Sequence, residues 1–167
     1  MIALVVLGVL AGIAAPAMRN ASMNNKIATE TNDMLATLMF ARSEAIKRTG
    51  PVIICHSNDP TATPPGCNFS ATWNTGWFVY NDENENGSFD PPGESVLRVG
   101  DGFSGANRKI KPTASINSGI AFTRLGLASS SGSISICDSR GVNQARVIEV
   151  LSTGRTRVNR NATPDCS

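Results

Sequence analysis

Three groups of residues in this chain have types and spacings that could do chemistry. Near the C-terminus, Gly154-Arg155-Thr156-Arg157 is followed by Arg160. Side chains alternate between faces along an extended strand, so Arg155 and Arg157 point the same way. Two guanidinium groups about 7 Å apart suit the phosphates along one nucleic-acid strand. Arg155, Arg157 and Arg160 are therefore a candidate DNA-contact set, with Gly154 allowing a sharp backbone turn ahead of them. The competing reading is a row of arginines that are solvated or paired with acids on a neighbouring subunit.

The second group is Asp82-x-Asn84-x-Asn86-Gly87, which matches the opening of an EF-hand calcium loop. Such a loop needs a bidentate glutamate at its twelfth position. Here Gly93 stands there and Glu94 comes one residue late, and no second helix is expected. One reading is a polar turn, with Asn and Gly supplying left-handed conformations and Asp capping backbone donors. The other is a weak calcium site made by Asp82, Asn84, Asn86 and Asp90. Calcium is the only cofactor suggested by the sequence.

The third group is the four cysteines, Cys55, Cys67, Cys137 and Cys166. They are widely spaced and lack the short pairs of a zinc site. An even number of them behind an export-type N-terminus reads as two disulfides made in an oxidising compartment. Three pairings are open. The favoured one joins Cys55 to Cys67, stapling one loop, and Cys137 to Cys166, tying the C-terminal tail to a strand. The second bridge would stabilise the fold by roughly 3–4 kcal/mol through loop entropy.

Enzyme readings find no support. His56 is the one histidine in the chain and has no partnered nucleophile signature, and neither a Gly-rich phosphate loop nor G-x-S-x-G occurs. The chain is read as a non-enzyme. A net charge of +2 does not by itself imply a nucleic-acid partner, so any such activity belongs to a local cluster. Arg108, Lys109 and Lys111 form a second basic group whose position relative to Arg155 the sequence does not fix.

The elements that position these groups fall into three stretches. Residues 1–18 carry no charge and would span about 27 Å as a helix, just short of a bilayer core. No basic region precedes the apolar run, which argues against a cleaved secretory signal. Pro16 removes a backbone donor and would kink or loosen this helix. Across residues 19–50 the helix turns amphipathic, with Ile27, Met34, Leu38, Ala41 and Ala45 on one stripe flanked by Leu35 and Ile46. That stripe should dock on a sheet, and Gly50-Pro51 should end the helix.

Residues 51–167 form a head of short strands. Candidates are 52–55, 76–80, 95–99, 119–123, 133–137, 146–151 and 156–159, separated by Gly, Ser, Asn and Pro. About seven short strands without βαβ spacing predict an antiparallel sandwich. The fold class is thus α+β: a long N-terminal helix packed on an antiparallel β-sandwich head.

This order of features resembles the GspH/FimT family of minor pilins and pseudopilins. The resemblance rests on the run Ala3 to Pro16, on Ala41-Arg42-Ser43-Glu44-Ala45, on Gly76-Trp77-Phe78-Val79-Tyr80 leading into Asp82 to Gly87, and on Ser152-Thr153-Gly154-Arg155-Thr156-Arg157. Family members carry a basic leader and a glutamate early in the helix. Neither is present, so the register places Met1 inside the family motif and the processing site out of view.

The resemblance implies a pilin-like fold and a minor pilin of a type IV pilus. Such a protein is single-pass in the bacterial inner membrane with its head in the periplasm, and then enters or initiates a filament at the cell surface. Its partners would be the inner membrane and other minor and major pilins, met through the N-terminal helix. FimT-like members use a similar Gly-Arg-x-Arg stretch to bind double-stranded DNA, which carries that role to Arg155 and Arg157. The alternatives are a DNA receptor for natural transformation as the main role, or the H-type pseudopilin of type II secretion.

Overall fold

The computed structural model of the chain describes residues 2–68, 72–103 and 108–167, with residues 2–17 described as helical backbone alone. The side chains of the apolar segment expected at residues 1–18 therefore lie outside the described residues, apart from Met18. Among the described residues no helix is long and apolar enough to cross a membrane. One helix, α1, runs from Ile2 to Arg48 without interruption, passing through Pro16.

The C-terminal half of α1 docks as its stripe predicts. Ile27, Met34, Leu38, Ala41 and Ala45 are all buried in the main core, and Leu35 packs against it. Ile46 differs, remaining half exposed. The buried threonines Thr31 and Thr37 satisfy their hydroxyls on carbonyls four residues back, those of Ile27 and Asp33. Thr49 takes a positive φ of 56° just past the helix, ahead of Gly50-Pro51.

Among the described residues eight strands follow α1: β1 (Val52–His56), β2 (Gly76–Asn81), β3 (Val96–Asp101), β4 (Lys109–Pro112), β5 (Ile120–Phe122), β6 (Gly132–Cys137), β7 (Arg146–Val150) and β8 (Thr156–Asn159). They form two four-stranded sheets of order β3-β2-β1-β5 and β4-β6-β7-β8, and the pairings are antiparallel. Strand β4 is the element that the sequence pattern misses. Lys109-Ile110-Lys111-Pro112 has a single inward apolar residue, Ile110, which is buried opposite Ile136.

Both sheets turn one face to the common core. Val52, Ile54, Val79, Ile120 and Phe122 come from the first, and Ile134, Ile136, Ile148 and Val150 from the second. The far face of the first sheet carries a smaller cluster of Cys55, Phe78 and Tyr80, with Phe89 packed on it. The Cys55–Cys67 disulfide holds the 57–68 loop there.

On the far face of the second sheet the C-terminal tail doubles back. Cys137 is bonded to Cys166, the Asp165 amide donates to Ser135 Oγ, and Lys111 Nζ reaches Asp165 and the Ser167 carbonyl.

Candidate functional site

Strand β8 is one edge of the second sheet and carries Arg157, with Arg155 just before it and Arg160 just after it. Arg155, Arg157 and Arg160 are all exposed. They are spread out rather than gathered, since the four residues of β8 separate Arg155 from Arg160. Arg157 faces Glu149 across the β7–β8 ladder, and its Nε donates to Glu149 Oε2 at 2.9 Å. Hydrogen bonds from Asn159 and then Arg157 hold the Glu149 carboxyl below its usual range. One arginine of the pair is therefore partly neutralised within the subunit. Arg155 and Arg160 have no ion-pair partner among the described residues.

Gly154, which precedes this strand, sits against α1. Its φ is +74°, and its amide donates to the Leu151 carbonyl at 2.8 Å to close a tight turn. A Cβ at this position would collide with the Gly126 carbonyl and stand 3.0 Å from Arg42 Nε. Arg42 on α1 donates to the carbonyls of Gly126 at 2.9 Å and Thr153 at 3.3 Å. Thus Arg42 ties two distant turns to the helix. This joins the Ala41 to Ala45 motif to the Gly154 motif in space.

Beside this clamp lies a surface pocket of about 390 Å³ lined by Met39, Arg42, Ser43, Ile46, Arg155 and Thr156. Its apolar rim stays open: Met39 is 58% exposed and Ile46 50%. Leu125, on the turn held by Arg42, is 73% exposed.

The second basic group does not extend the β8 row. Arg108 is mostly buried and ion-paired with Glu30 of α1. Lys109 and Lys111 lie on β4, at the opposite edge of the sheet from β8, and bind the C-terminal tail through Cys166 and Asp165.

In the Asp82 loop the acidic and amide oxygens close on the loop itself. Asp82 accepts from the amides of Asn86 and Gly87. Asn84 Oδ1 and Asn86 Oδ1 accept from the amides of Asn86 and Ser88. Asp90 accepts from both asparagine side chains, at 3.0 and 2.7 Å, and those bonds hold its carboxyl below the usual range. Buried Glu94 caps the amides of Glu83 and Asp90, a role that sequence spacing alone does not indicate. Among the described residues no three His, Cys, Asp or Glu side chains converge as a metal site. The Tyr80 hydroxyl, raised in pKa by burial and by Asp82, Glu94 and Asp90 nearby, donates to the Gly87 carbonyl and braces the turn from below.

A family model described as Type II transport protein GspH matches residues 30–154, three quarters of the chain. The chain belongs to the GspH family. The match covers most of the docked part of α1, from residue 30, and the head up to the Gly154 turn, so Arg155, Arg157 and Arg160 lie just beyond it. The fold of this GspH-family protein is similar to two crystal forms of the Pseudomonas aeruginosa type IV minor pilin FimU. The first is 21% identical with a TM-score of 0.66, covering 85% of this chain and 95% of FimU. The second is 20% identical with a TM-score of 0.62, covering 83% and 98%. No curated protein matches in sequence.

Proposed function

We propose that this GspH-family chain is a minor pilin of a type IV pilus, a structural subunit rather than an enzyme. Before assembly its apolar N-terminal helix lies in the bacterial inner membrane with the head in the periplasm. On assembly the helix passes from lipid into a bundle of like helices, so its apolar surface stays covered in both states. The head faces outward and meets other minor pilins, with the open Met39, Ile46 and Leu125 rim as a contact. The observation that carries this reading is the FimU-like arrangement of helix and head over most of both chains. The H-type role in a type II secretion pseudopilus is the alternative. A deletion strain separates them: loss of surface pili and twitching with normal protein secretion supports the pilus role, and the opposite pattern overturns it.

A second reading, compatible with the first, is binding of double-stranded DNA through Arg155, Arg157 and Arg160. It is favoured by the exposure of all three on and at the two ends of edge strand β8. Purified full-length protein should retard a DNA duplex in gels, and the Arg155→Gln, Arg157→Gln double variant should not. Removing one arginine–phosphate interaction should reduce the magnitude of the salt slope by about 0.9. Equal retardation by the parent and the variant refutes the reading.

A further inference from the structure

The head presents different charged surfaces to the two ends of the docked part of α1, with Arg155 beside Met39 and Ile46 the basic exception near the C-terminal end. Residues 51–97 hold six acidic side chains and neither Lys nor Arg. Three of them, Asp82, Glu83 and Glu85, share a pocket with Arg48 at the C-terminal end of α1. At the other end of the docked helix the sign reverses. A polar pocket of about 170 Å³ is lined by Asn24 and Ile27 of α1 together with Arg146, Asn159 and Arg160. Arg140 reaches the same place, with Nη1 donating to Asn24 Oδ1 at 2.7 Å. Arg19 and Lys26, both exposed, add positive charge to this stretch of the helix, Lys26 on another face with Glu30.

Two acids beside this collar are already bound: Asp138 by Arg140 at 2.6 Å, and Glu149 by Arg157 and by the pocket-lining Asn159. Arg146 and Arg160 have no ion-pair partner among the described residues. Asn24 stands about 9 Å along the helix from Met18, where the uncharged segment ends, and Arg48 about 36 Å further. The basic pole is therefore about one Debye length from the surface of a membrane holding that segment, and the acidic pole is several Debye lengths away.

We infer that the Arg140, Arg146 and Arg160 collar binds the phosphates of anionic lipid headgroups and seats the head upright on the membrane before assembly. This rests on the reading that the N-terminal part of α1 lies in the bilayer. Phosphates near such a surface attract each nearby cation, so the collar end of the head is drawn to the membrane while the distant end is screened from it.

The test uses the full chain in nanodiscs of phosphatidylcholine alone or with a third phosphatidylglycerol, read by hydrogen exchange over residues 142–147 and 159–162. Exchange there should slow by about threefold or more in the anionic discs. Half-molar salt should erase the difference, and so should the Arg146→Gln, Arg160→Gln double variant with β1 and β6 protection unchanged. Equal exchange in both discs, with the chain co-eluting with them, overturns the collar and leaves the anchor intact. Failure to co-elute overturns the anchor and the proposal with it. If millimolar phosphate or a short DNA duplex gives the same protection on neutral discs, the lipid assignment is wrong.

Discussion

Arg42 donates from Nε to the carbonyl of Gly126, 2.9 Å away and 84 residues later in the chain. The same guanidinium bonds Thr153, so one helical side chain fixes the turns on either side of the helix-docked surface. The candidate β8 arginines emerge directly from the second of these turns, and their placement depends on this clamp.

Replacing Gly154 with Ala should therefore cost on the order of 2–3 kcal/mol. The residue has a positive φ, and an added Cβ meets the Gly126 carbonyl. A urea titration checks this, and a loss below about 0.5 kcal/mol would mean the turn rearranges freely.

Arg42→Gln should destabilise by about 1.5–3 kcal/mol, because two carbonyls lose a charged donor. Hydrogen exchange at the amides of Gly126 and Gly154 should rise ahead of the core. Unchanged exchange there would show that the turns hold without the clamp.

The one histidine sets a specific pH window. Burial lowers the His56 pKa below 6.5, against the opposing pull of the Asn117 and Asn68 backbone carbonyls. A depressed pKa means that the unfolded chain binds the proton first. Stability from this group is complete above about pH 6.5 and declines as pH falls toward the folded value. Unfolding free energy should drop between pH 7 and 5 in the parent and be flatter in His56→Gln. A flat profile in the parent contradicts the assignment.

The Cys137–Cys166 bridge closes a loop of 29 residues. A Cys137→Ser, Cys166→Ser double variant should lose roughly 3–4 kcal/mol. It should also expose Val147, which is 2% accessible in the bridged protein. Loss of stability without faster exchange on β7 would mean that the tail stays in place without its bond.

Calcium should leave the melting temperature of EDTA-treated protein unchanged at millimolar concentration, since Asp82 and Asp90 already accept from the loop's own donors. An upward shift of several degrees would show that these bonds are exchanged for a metal.

Local periodicity makes part of this fold legible in the sequence. The stripe Ile27, Met34, Leu38, Ala41, Ala45 identifies the buried face of α1 because helical spacing repeats it. Seven strands are visible as short β-like runs between turn residues, whereas β4 is not, since two of its four residues are lysines and a third is proline. Pairings set by the fold stay hidden. Nothing near Arg108 in sequence indicates that it is taken up by Glu30, so the second basic cluster is less free than its composition suggests. The Arg157–Glu149 contact and the return of the tail across Ser135 likewise depend on strand order. The convergence of Arg140, Arg146 and Arg160 beside Asn24 becomes visible only once the strands are assigned to places along α1.

The pilin assignment is tested most directly by shearing pili from cells producing the natural protein and quantifying this chain in them by mass spectrometry. A minor pilin is present in the sheared filaments at a small fraction of the major subunit, and is otherwise held in the inner membrane. Pili free of the chain, with all of it soluble in the periplasm, would contradict the assignment.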